Sequence, residues 1–208
     1  EPRDRRRDPF SRREPRDRRR DPFSRRERAP APQDPVEEDL PLLVKPHFAY
    51  APNQVPPKLD ILNTRLLEAD AYVAVTPEYN HAPSPALLNM INHIGSSVMS
   101  YKPSLIVSYS AGQWGGARAA VLLRPMLSEM GCLPVSAMIH VPKAAEVFDE
   151  AGVPREDPAQ WESYFDRGAS QLEWWGVAAR EHKAVVDPFA ASPALTSTPK
   201  ERNAPQGP

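Results

Sequence analysis

Two short stretches hold the residue types that could do chemistry. Pro77-Glu78-Tyr79-Asn80 sets a carboxylate, a phenol and an amide directly after the apolar run that starts at Ala71. The segment from Ser108 to Arg118, with Ser110, Ala111, Gly112, Gly115 and Gly116, follows a second run of the same kind. Each apolar run stops in a polar, turn-forming loop, and each loop runs into a helical pattern. In an open α/β sheet the loops at the carboxyl ends of parallel strands form the ligand crevice. Two such loops side by side, one acidic and amide-bearing and one rich in glycine, make a site for a flat polar ring system. Read singly, each has a plainer meaning: Glu78 as a solvated carboxylate, the glycines as a helix-entry turn. Trp114 fits both a cover over the ring and a side chain packed on the next helix. His81 and His140 show no metal-ligand spacing and read as surface histidines.

The elements that must position these loops follow from hydrophobic periodicity. Leu59, Leu62 and Leu66 share one helical face after Pro56-Pro57, and Tyr72–Thr76 is an uncharged run suited to a buried parallel strand. Ser84-Pro85 has the form of an N-cap with proline at the first helical position, and Leu87, Met90 or Ile91, Ile94 and Val98 continue one stripe. Leu105–Tyr109 is a second strand. Gly115-Gly116 opens a helix with Ala119, Ala120, Leu123 and Leu127 inward, Pro125 inside it and Gly131 as its C-terminal cap. Val135–Ile139 is a third strand. Asp157-Pro158 starts a last helix carrying Trp161, Phe165, Leu172 and Trp175; Trp174 and Trp175 suit a core or a dimer interface. Helix and strand alternate throughout, which predicts a doubly wound α/β layer. Ahead of it, Pro41 and Pro46 make residues 39–50 an extended segment pressed on the body.

Composition sets the outer limits. The chain has 208 residues with 26 prolines against 9 glycines, which fits one domain with tails. Residues 1–28 carry 13 Arg and 7 acidic residues, a net of +6, while the remainder is −7. Residues 1–13 recur unchanged as 14–26. One Phe per copy cannot offset the entropy of ordering, so residues 1–35 are expected to be a disordered Arg/Pro-rich tail. The body is expected over 36–185 and a second disordered tail over 186–208. The interleaved acids argue against nucleic acid. One cysteine, Cys132, and no long apolar run or secretory h-region point to a cytoplasmic protein without a membrane partner.

Taken as a pair, the two loops resemble those of the NADPH-dependent FMN reductase family, which includes quinone and azo-dye reductases. The resemblance covers about residues 36–182 and is densest from Ala69 to His140. It implies a flavodoxin-like doubly wound parallel sheet, FMN as cofactor, NADPH or NADH as co-substrate, a flavin or quinone as electron acceptor, and a homo-oligomer. The residues it assigns to the flavin ring are Pro77, Glu78, Tyr79, Asn80, Ser110, Ala111, Gly112, Gly115 and Gly116. No protein side chain is implied as catalytic, because the hydride moves from nicotinamide to flavin and the cofactor carries the reaction. The amides of Gly112, Gly115 and Gly116, at a helix N-terminus, suit negative charge on the reduced ring.

The same resemblance exposes a gap. The family's first strand and its Gly-Ser-x-Arg-type phosphate loop have no counterpart in residues 1–35, which contain no glycine. The expected sheet is therefore N-terminally incomplete, with about three strands and an open edge on Tyr72–Thr76. Loss of three charge-assisted phosphate bonds weakens FMN binding by roughly three orders of magnitude. The competing expectation is a non-catalytic flavodoxin-like protein acting as an interaction module.

Overall fold

The computed structural model describes residues 40–191. The tandem repeat, the expected N-terminal tail and most of the expected C-terminal one lie outside the described residues. Three parallel strands form the sheet, β1 (Tyr72–Pro77), β2 (Pro103–Tyr109) and β3 (Leu133–Val141), in the order β1-β2-β3. β1 runs in register with β2 from Tyr72 opposite Ser104 to Pro77 opposite Tyr109. Between β2 and β3 the register shifts between Ser104 and Ile106. Sequential parallel strands joined by helical crossovers make this a flavodoxin-like arrangement.

Helices pack on both faces of the sheet, covering β2 on either side and β1 on one. On one face α1 (Pro57–Glu68), α2 (Pro85–His93), α3 (Ser96–Met99) and α4 (Ala117–Glu129) surround a core of Leu59, Ile91, Ile94, Met99, Ile106, Leu123 and Leu127. On the other, α6 (Pro158–Lys183) lays Trp161, Tyr164, Phe165 and Leu172 over Leu105, Val135, Ile139 and Val141. The short α5 (Ala144–Val147) follows β3. Gly168 lets α6 come close, since a Cβ there would stand 2.8 Å from Leu105. Leu123 is fully enclosed; truncating such a residue to alanine costs about 2–5 kcal/mol.

The helix ends follow the sequence cues closely. Ser84 Oγ accepts from the Leu87 amide at 3.2 Å and Asp157 Oδ1 from the Gln160 amide at 3.2 Å, each with proline at the first helical position. α4 closes in a Schellman turn: Gly131, at φ 79°, donates to Ser128, and Cys132 donates to Leu127. The stripe expected to run unbroken from Leu87 to Val98 is split. α2 ends at His93, Ile94 is extended, and Gly95 starts the separate α3. Gly95 sits against Phe48, where a Cβ would meet the ring at 3.0 Å, so the segment beginning at Leu40 sets the break. That segment is tied down through Pro41, whose carbonyl accepts from Asn89 and His93.

The two sheet edges differ. α6 satisfies the outer edge of β3: Gln171 accepts from Ala137, Arg167 donates to Met138, and the Tyr164 hydroxyl accepts from His140. Among the described residues β1 pairs on one side only, and Val73 and Val75 beside that edge are about half exposed. Residues 188–191 form a short α7, whose Phe189 meets Tyr101 edge-on.

Candidate functional site

The loop after β1 is a tight turn. Tyr79 and Ala82 exchange both backbone hydrogen bonds, and Asn80 and His81 between them have φ of 50° and 66°. Two positive φ values mark a type I′ turn, which asparagine tolerates well. Tyr79 and Asn80 are exposed at its tip, with Pro77 half-buried at its base. Below, the Thr76 hydroxyl accepts from the Ser84 amide at 3.0 Å and so fixes where the turn rejoins the helix.

Glu78 points the other way, into the neighbouring loop. Its amide donates to the Tyr109 carbonyl at 3.1 Å, extending the β1–β2 ladder by one step. Its carboxylate accepts from the amides of Arg118 at 3.1 Å and Ala119 at 3.3 Å, and from the Arg118 guanidinium at 3.2 Å. Only 11% of the side chain is exposed. Burial alone would raise the carboxyl pKa, but the hydrogen bonds from Ala119 and Arg118 and the Arg118 charge outweigh it and hold it below the ordinary value. Gly116, at the cap position of α4, has no side chain to close the helix end, so Glu78 caps it from another loop.

The second loop keeps its shape by close packing. Gly115 and Gly116 are buried at φ 58° and 76°; a Cβ on Gly115 would lie 2.9 Å from backbone of β3, and one on Gly116 2.9 Å from the Tyr109 carbonyl. These two glycines serve the contact of the loop with its own strands. Gly112 is different, for the nearest atom to a Cβ there is Ser110 Oγ at 4.0 Å. Ser110 donates to the Gly112 carbonyl at 3.1 Å, and Ala111 and Gly112 are exposed. Among the described residues no acceptor is found for the consecutive amides from Ala111 to Gly116, of which those of Ala111, Gly112, Gln113 and Trp114 belong to exposed residues. The Trp114 side chain is 61% exposed, and not packed away on the neighbouring helix.

Beneath the loop lies a pair that sequence reasoning missed. Ser108 is fully buried and donates to the Gly115 carbonyl at 2.7 Å. Its single proton is thereby used, so His140 Nδ1, 2.8 Å away, must be the donor to Ser108 Oγ. His140 is half-buried, and burial, followed by the Arg167 charge, pushes its pKa below the ordinary value; it is the neutral Nδ1–H tautomer. A usable signal existed: Ser108 shares a strand face with the core residue Ile106, and a buried hydroxyl needs partners. Cys132 is buried, and burial raises its thiol pKa to about 12.

The two stretches are thus brought together by direct bonds, with a carboxylate satisfied inside and a row of open amides outside. That outer row can accept the electron-rich edge of a planar ligand, and Gly112 leaves room for it. Among the described residues no serine or glycine precedes β1 to cradle a phosphate.

The profile of the NADPH-dependent FMN reductase family matches residues 33–146. An NAD(P)H-dependent FMN reductase of Pseudomonas aeruginosa is 31% identical over 50% of this chain and 59% of its own length. A quinone reductase of Pseudomonas putida is 31% identical over 65% of this chain and 74% of its own. A flavoenzyme NAD(P)H:(acceptor) oxidoreductase from Paracoccus denitrificans superposes with a TM-score of 0.49 at 23% identity, over 64% of this chain and 75% of that one. The chain therefore spans less than two thirds of the first of these relatives. With more than half of its residues matched by the family profile, the chain belongs to the NADPH-dependent FMN reductase family.

Proposed function

We propose that the two loops hold the isoalloxazine ring of FMN and that the protein is an NAD(P)H-dependent oxidoreductase. Support comes from family membership and, above all, from the run of unpaired amides that includes the exposed Gly112, Gln113 and Trp114 beside the Glu78 tether. Bound FMN would supply the redox step, taking a hydride from NADPH or NADH and passing two electrons to a flavin or quinone acceptor. The chain's own residues orient and polarise. Amides aimed at the ring edge favour the negative charge that reduction places there, with no reorganisation at the moment of transfer. The main chain of Glu78–Asn80 borders the same edge, and Pro77 and the exposed Tyr79 form a wall. Ser110, Ala111 and the buried Gly115 and Gly116 shape the floor. Glu78 keeps its charge turned into α4, so the carboxylate does not oppose that of the reduced ring.

The test is titration of the purified protein with FMN and with riboflavin, followed by anaerobic addition of NADPH. Stoichiometric binding with bleaching of the yellow colour is expected. A colourless protein that neither flavin stabilises against heat would overturn the reading.

A further inference from the structure

A cavity of about 590 Å³ lies at the opposite end of the sheet from the two loops. It opens where β2 and β3 begin, under the last turns of α6, and α7 closes one side. β2 is seven residues long, which puts about 20 Å between the cavity and the loops at 3.3 Å per residue. It is therefore a separate site from the ring crevice. The volume falls in the range that encloses small organic ligands.

Its walls are apolar, formed by Pro103, Leu133, Trp175, Ala178 and Ala179. Its lining includes the cationic side chains Lys102 and Lys183 with His182 between the elements that carry them, and no acidic side chain is among its described lining residues. Lys102 is almost fully buried and gives two of its three protons to the carbonyls of Leu66 and Leu67, at 2.6 and 2.7 Å. Burial, then repulsion from Lys183, lowers its pKa to about 8. Asp70, which acts in the opposite sense on Lys102, is engaged by Arg180 at 3.1 Å. Lys183 at the rim, and Lys102 behind the wall with one proton left over from Leu66 and Leu67, thus set positive charge beside an apolar cleft that has no acidic side chain among its described lining residues.

We propose that this cavity binds a small apolar anion, an alkyl or aryl carboxylate, with its tail against Trp175 and Leu133 and its charge toward Lys183 and Lys102. Apolar surface supplies affinity and the cations select the ionised head group. An uncharged molecule of the same shape gains only the first term.

Calorimetric titration of the full chain with octanoate, 4-phenylbutanoate and 1-octanol, with and without FMN, tests this. One saturable site is expected for a carboxylate, unchanged by FMN, with octanol at least about tenfold weaker. Lys183→Glu, at the part-exposed rim, should weaken carboxylate binding at least about tenfold and leave octanol unchanged. Ala179→Trp, which fills the cavity, should abolish both; its melting temperature shows whether the variant is folded. Equal affinity for octanol and octanoate, carboxylate binding untouched by Lys183→Glu, or no saturable binding at about 1 mM would each overturn the proposal.

Discussion

Glu78 and Arg118, forty positions apart, are joined twice: the carboxylate accepts from the Arg118 amide at 3.1 Å and from its guanidinium at 3.2 Å. The Ala119 amide adds a third bond. One side chain therefore caps α4 and fixes the turn after β1 against the loop after β2. Glu78→Gln should lower the melting temperature and weaken flavin binding together. Because the folded-state pKa is depressed, the carboxylate's contribution is present above its ordinary value of 4.5 and is lost as pH falls through the folded value. Acid melts of the wild type should show that loss, and those of Glu78→Gln should be flatter.

Gly116 and Gly112 separate packing from binding within one loop. Gly116→Ala forces a Cβ to 2.9 Å from the Tyr109 carbonyl at φ 76°; destabilisation of more than about 1 kcal/mol is expected from denaturant unfolding. Gly112→Ala meets nothing closer than 4.0 Å, so stability should be retained. Its expected cost is in flavin affinity, read by titration.

His140 makes a second pH-dependent contribution. Its pKa is lowered by burial and by Arg167, so the unfolded chain binds a proton more readily than the folded one. Stability is full above about pH 6.5 and declines below it as pH falls through the folded value. His140→Gln should remove that slope. Ser108→Ala, which strips a buried hydroxyl from between His140 and Gly115, should cost about 1–3 kcal/mol by urea unfolding.

The outer edge of β1 carries no charge from Tyr72 to Pro77 and exposes Val73 and Val75. Such an edge promotes strand-to-strand association. Replacing either valine with lysine should reduce self-association in light scattering, with a change of less than about 1 kcal/mol in unfolding free energy, as is usual for exposed positions. Unchanged association would mean that other surfaces drive it.

Much of this architecture could be read from local chemistry. Ser84-Pro85, Asp157-Pro158 and Gly131 act within a turn of the helices they delimit, and the apolar runs at 72–76 and 105–109 announce strands by type alone, although the run at 72–76 is buried on one face only. The unbroken stripe from Leu87 to Val98 misled because periodicity carries no information about Phe48, which arrives from outside the segment and meets Gly95. The two loops were recognisable as a pair, yet the jobs of their residues were not.

That division has a physical reason. Capping, turn formation and hydrophobic periodicity are interactions between near neighbours, so the order of residues determined the helix ends, the strands and the location of the loops. Which way Glu78 faces, why Gly115 and Gly116 must lack side chains, and that Ser108 and His140 share a proton link depend on contacts 7 to 41 positions apart. The cationic cleft at the far end likewise gathers Lys102 and Lys183 from elements that meet only once α6 lies across the sheet. Only the folded chain decides such contacts, because packing, not succession, sets which groups lose water together.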